Sequence, residues 1–101
     1  MLFRSTTRRG TKVALGRVVV FVHRSGSERP ARGGVVTSKA VGNSVVRHRT
    51  ARRIRAALSA ALEELPAGTD VVVKALPGAS TDGDLQADVR EAVARASRGG
   101  R

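Results

Sequence analysis

Short Val-rich runs alternate along the chain with two longer stretches of helical period. Arg17–Arg24 is dense in β-branched residues and closed by polar ones, the pattern of a strand. Ser25–Pro30 is a loop by composition. Gly33–Lys39, through Val35, Val36 and Thr37, reads as a second strand, and the pair predicts an antiparallel hairpin. Gly42-Asn43 ends this region and a long helix follows, from about Ser44 to Leu65. Its apolar positions Val46, Ile54, Ala57, Leu58, Ala61, Leu62 and Leu65 fit one stripe of period 3.6, and Pro66 and Gly68 stop it. Asp70–Leu76 predicts a third strand. The last helix is expected to be capped at Thr81 or Asp82, with Leu85, Val89, Val93 and Ala96 on one face. Asp82, Asp84 and Asp88 crowd its start and Arg95 and Arg98 its end, which suits the helix dipole. Met1–Gly16 is weakly patterned and reads as a frayed helix ending near Gly10 followed by a turn, and Arg98–Arg101 as a disordered tail.

These elements predict a single domain over residues 1–101 of the α+β class: a small α/β sandwich whose mixed sheet, of about three to four strands, packs against helices. The chain has 101 residues and 41% hydrophobic content, enough for one modest core. No apolar run approaches the roughly 18–20 residues that span a bilayer, and no signal-peptide pattern opens the chain, so the expected setting is cytoplasmic. There is no Cys, hence no disulfide, thiolate metal site or Cys nucleophile.

The net charge of +11 is unevenly placed. Residues 1–55 carry fourteen Lys and Arg against Glu28 alone, and residues 56–101 carry five against seven acids. Such a field opposes compaction and suits a polyanionic partner, nucleic acid first and an anionic membrane surface second.

The charge concentrates in Arg47-His48-Arg49-Thr50-Ala51-Arg52-Arg53-Ile54-Arg55, five Arg in nine residues with no acid among them. On a helix, His48, Arg52 and Arg55 share one flank and Arg49 and Arg53 the adjacent one, opposite Ile54 and Leu58. Arg47 falls near the apolar side, pointing along the sheet surface. A merely solvated face would intersperse Glu, because like charges at i,i+3 and i,i+4 repel by a few tenths of a kcal/mol each. Unpaired guanidinium groups suit phosphate oxygens, which their planar fork meets bidentately. Gly42-Asn43 reads as a strand-to-helix turn with an Asn cap. Half of the eight acids lie in the expected last helix, where capping explains them, and neither His23 nor His48 has a partnered acid or nucleophile motif, so no catalytic residue and no metal ligand is assigned.

The stretch from Ser38 to Arg55 resembles the signature motif of the bacterial ribonuclease P protein family, in which a strand-end Lys and Gly-Asn lead into an Arg-Asn-Arg helix. The order and spacing of Gly10, the strand ending at Phe21, the Gly34 strand, the motif helix, the Asp70 strand and the final helix resemble that family as well. His48 stands where the motif usually has Asn, and Ala51 where it usually has Lys. The family's basic arm and fuller first helix precede the position of Phe3, so the expectation is either a shorter N-terminus or a start from a misplaced initiator.

The resemblance implies a protein subunit of ribonuclease P that promotes removal of the 5′ leader of precursor tRNA. The chemistry would be carried by a catalytic RNA and its Mg²⁺. It implies RNA contacts by Lys39, Gly42, Asn43, Arg47, His48, Arg49, Arg52, Arg53 and Arg55, and leader contacts by Phe3, Phe21, Ser38 and Lys39. Gly42-Asn43 would adjoin a hydrated Mg²⁺ or a phosphate shared with the RNA. Neutralising five or six phosphates would make affinity fall with roughly the fourth or fifth power of salt. A left-handed βαβ crossover is implied, against the usual right-handed rule. The alternative is a structural or ribosomal-type RNA-binding protein of similar small fold. A third reading, an independent basic hydrolase, would show cleavage without RNA. No membrane, DNA or small-molecule partner is expected; helix-turn-helix spacing is absent.

Overall fold

A computed structural model describes residues 11–99. Four strands form one sheet: β1 (Thr11–Leu15), β2 (Val18–Arg24), β3 (Arg32–Thr37) and β4 (Thr69–Ala75). Two helices, α1 (Ser44–Leu62) and α2 (Leu85–Gly99), and two single 3₁₀ turns, Lys39–Val41 and Ala79–Thr81, complete the described chain. The strand order is β1-β2-β4-β3, with β1–β2 and β2–β4 antiparallel and β3–β4 parallel. The sheet is therefore mixed, four-stranded and helix-packed, an α+β fold.

The expected hairpin between the Phe21 and Val35 strands does not form, because β4 lies between them. β4 carries the densest buried run, Val71, Val72 and Val73, which suits a strand with a neighbour on each edge. The hairpin partner of β2 is instead β1, in a stretch whose weak pattern predicts a turn after a frayed helix. Its residues alternate inward and outward, with Thr11, Val13 and Leu15 half-buried and Lys12 and Ala14 exposed. A two-residue loop, Gly16-Arg17, joins Leu15 to its partner Val18. Gly16 takes φ +58°, and a Cβ there would collide with the Asp88 carboxylate. Residues 1–10, including Phe3 and the expected first helix, lie outside the described residues.

Strand register sorts the sheet into two faces. Val18, Val20, Val22, Val71, Val73 and Ala75 point to the face that packs on Ile54, Ala57 and Leu58 of α1 and on Leu85, Val89, Ala92, Val93 and Ala96 of α2. Asn43 caps α1, its Oδ1 accepting the Val46 N–H at 3.0 Å. The helix ends at Leu62 and the chain turns over residues 63–65, so the stripe's last member Leu65 packs from outside the helix. At α2 the entry differs from the expected cap: Asp82 Oδ1 accepts the Asp84 N–H at 2.9 Å, and the helix begins only at Leu85. The acids there repel one another. The Asp88 carboxyl is pushed above the usual carboxylate range by desolvation, then by its Asp82 hydrogen bond and the charges of Asp82 and Asp84. α2 continues through Arg98 and Gly99, so these two residues are helical rather than part of a disordered tail.

Replacing Gly16 by Ala places a side chain in a left-handed conformation and against Asp88. The expected loss is about 1–3 kcal/mol of stability, read as a lower urea midpoint at unchanged m-value. An unchanged midpoint would refute this account of the β1–β2 loop.

Candidate nucleic-acid interface

The motif helix is anchored by one side only. Thr50, Ala51, Ile54, Ala57 and Leu58 are buried, and Thr50 Oγ1 donates back to Val46 O at 2.8 Å, so its hydroxyl is satisfied within the helix. His48, Arg49, Arg52 and Arg55 are exposed on the opposite side. The two ion pairs among the described residues lie elsewhere: Arg32 with Asp70 joins β3 to β4, and Arg95 with Glu91 is an i,i+4 pair within α2. No Arg of the motif helix is paired with a described acid, and residues 29–62 contain no Asp or Glu at all.

The five arginines are not equivalent. Arg53 is half-buried and turns inward: its Nη2 donates to Asp82 O at 2.7 Å and its Nη1 to Ser80 O at 3.4 Å. Gln86 Nε2 returns a bond to Arg53 O at 3.3 Å, so this one residue ties α1 to the 80–82 turn and to the first turn of α2. Arg47 is also half-buried, lying towards the apolar side as the helical spacing predicts. Its Nε is buried without a hydrogen-bond partner among the described residues.

The second face of the sheet has neither described helix on it. Register aligns Lys12, Phe21, Val72 and Gly34 in one transverse row, flanked by Ala14, Val19, Lys74 and Val36 on one side and His23, Asp70 and Arg32 on the other. Phe21 is half-buried, with Lys12 Nζ 6.0 Å from its ring centroid. Asp70, the one strand acid on this face, is buried and paired with Arg32 Nε at 3.1 Å, so the exposed charges of Lys12 and Lys74 are left to set the sign of the surface. Ser38 and Lys39 are exposed just beyond the end of β3, where Lys39 opens a 3₁₀ turn rather than closing the strand. Of the expected leader-contacting residues, Phe3 lies outside the described residues. The sequence pattern does not single out Lys12, Arg32 or Lys74. Strand parity with Phe21 finds Lys74 and Arg32 once the register is known.

Gly42 adopts φ +152°, and a Cβ there would lie 2.7 Å from Val46 Cγ1. The corner between sheet and motif helix therefore closes around a residue without a side chain. Among the described residues, no group of three or more His, Asp or Glu is placed to hold a metal ion, and no helix is long and apolar enough to cross a membrane.

A model of the ribonuclease P family matches residues 1–97. The chain is 44% identical over 98 residues to the ribonuclease P protein component of Kocuria rhizophila, covering 95% of this chain and 86% of that protein. It is 48% identical over 80 residues to that of Nocardia farcinica, covering 79% of this chain and 47% of the relative, about half its length. The solved structure of the Staphylococcus aureus RNase P protein is similar with a TM-score of 0.78 at 25% identity, over 94% of this chain and 82% of that one.

The inward bonds of Arg53 set it apart from Arg52 by experiment. Arg53→Ala is expected to lose about 1.5–3 kcal/mol, the range for hydrogen bonds to a charged group. Arg52→Ala should stay within about 0.5 kcal/mol of the parent. Urea midpoints of the two variants measure this, and equal midpoints would sink the assignment.

Proposed function

The chain belongs to the ribonuclease P protein family, and from that premise we propose that it acts as the protein subunit of the ribonucleoprotein that matures the 5′ end of tRNA. The observation that carries the reading is the helix face of Arg47, Arg49, Arg52, Arg55 and His48, which no acid of the described chain neutralises. Membership of the family does not favour the alternative of a structural RNA-binding protein.

In this reading the motif helix binds the catalytic RNA through its guanidinium groups, each able to take two phosphate oxygens. With Arg53 committed inward, the helix presents Arg47, Arg49, Arg52 and Arg55. Neutralising about four phosphates corresponds to a log K against log salt slope of about −3 to −4, shallower than a count that includes Arg53. The second sheet face receives the single-stranded leader: Phe21 supplies a ring for a base, Gly34 keeps the floor low beside Val72, and Lys12, Lys74 and Lys39 attract the backbone.

Bond cleavage belongs to the RNA subunit, and Mg²⁺ is the ion expected there. The one side chain at the Gly42-Asn43 corner is the Asn43 amide, whose Oδ1 accepts the Val46 N–H. The protein's own contribution is to lengthen the grip on substrate and to screen repulsion between the two RNAs, which lowers the Mg²⁺ the complex requires.

The test is cleavage of precursor tRNA at low Mg²⁺ by the cognate RNA subunit, with and without the protein. Protein-dependent cleavage at the leader junction is expected, reduced at least about tenfold at sub-saturating protein when Arg47 and Arg49 are both changed to Ala, since each lost charged contact is worth about 1 kcal/mol or more. Salt-sensitive RNA binding without any stimulation would reject the subunit reading in favour of the structural RNA-binding alternative.

A further inference from the structure

Val45 is 64% exposed, the large apolar side chain that stands most open among the described residues. On α1 it lies about 180° around the axis from the fully buried Ile54, so it is centred in the charged face. Its helix neighbours at i+3, i+4 and i+7 are His48, Arg49 and Arg52. Ser44, Val45, His48, Arg52 and Arg55 line an open groove of about 420 Å³. A β-branched residue in an exposed first turn gains neither burial nor helix propensity, and Ser or Lys would serve solvation better. Phosphate binding does not use an apolar side chain. Nucleobases do: they offer flat apolar surface to aliphatic and aromatic groups, and RNA bases become accessible where they are unstacked.

We propose that the Val45–His48 groove is a nucleobase-binding subsite, holding one unpaired base of the RNA subunit against the Val45 side chain and the His48 ring while Arg52 and Arg55 hold its flanking phosphates. This rests on the proposed partnership with that RNA. The occupant follows from charge and shape together: two exposed guanidinium groups select a polyanion, and an aliphatic group beside an imidazole selects a flat ring within it. A continuous duplex would bury its bases and leave Val45 in water.

The experiment measures binding of the full chain to its RNA subunit across a salt series, for the parent, Val45→Ser, His48→Ala, His48→Phe and Arg52→Ala. Val45→Ser and His48→Ala are expected to weaken binding about fivefold or more, the lower end of base-stacking contributions, with the salt slope unchanged. His48→Phe should retain affinity, and Arg52→Ala should make the slope shallower by about 0.7–0.9. All three positions are exposed, and unchanged urea midpoints establish that the variants fold. Parent-like affinity for both Val45→Ser and His48→Ala would overturn the subsite while leaving RNA binding intact. A slope change in His48→Ala would overturn it too, by making His48 a phosphate contact. Failure of the parent to bind the RNA at all would instead overturn the functional reading beneath it.

Discussion

Burial of the Ile54–Leu58 seam of α1 is the interaction on which the rest of the molecule depends. The other side of that helix carries Arg49, Arg52 and Arg55 within about two turns, with no acid to relieve them. Each like-charge neighbour costs a few tenths of a kcal/mol. Full burial of a side chain such as Ile54 or Leu58 contributes about 1.5–3 kcal/mol, so the seam wins without any compensating charge. Arg53 adds to the anchorage, because its donors reach the backbone carbonyls of Ser80 and Asp82. A helix held from one side can leave its other side entirely to a partner.

The sheet presents the same division. Its inner face is apolar and covered by both helices, and its outer face carries Phe21 among Lys12, Lys74 and Arg32. Most elements are legible in the residue pattern: the Val-rich strands, the stripe of α1 and the Asn43 cap all stand where that pattern predicts them. Pairing is not. Chain order suggests that β2 and β3 are neighbours, but β4, with Val71, Val72 and Val73 all buried, takes the position between them. β1 is hard to read because its alternation is carried by Thr11, Val13 and Leu15, only the last two strongly apolar, beside a run of basic residues.

The candidate site is legible to a similar depth. Helical spacing alone places Arg47 near the apolar side and the other cations away from it. It puts Arg53 on a different flank from Arg52 but does not show that Arg53 turns inward, since that depends on where the Ser80–Asp82 turn puts its carbonyls, which is a matter of tertiary packing. Nor does the stripe by itself draw notice to Val45 beside Val46. One step of about 100° moves the side chain from the capped, half-buried side into the middle of the charged face.

On the proposed reading two RNA surfaces meet at one corner. β3 ends at Thr37, and the chain passes through Ser38, Lys39 and Gly42 into the cap of α1. Val41 N donates to Ser38 O at 3.0 Å and Gly42 N to Lys39 O at 3.2 Å, so the connection is hydrogen-bonded turn by turn. Gly42 lets the first helical turn close on the sheet, because any Cβ there would press on Val46. The same seam that buries Ile54 and Leu58 fixes the body of the helix. Leader and catalytic RNA would then be held at a set separation by covalent chain and core together. On that reading a domain this small acts as a rigid gauge between two nucleic acids.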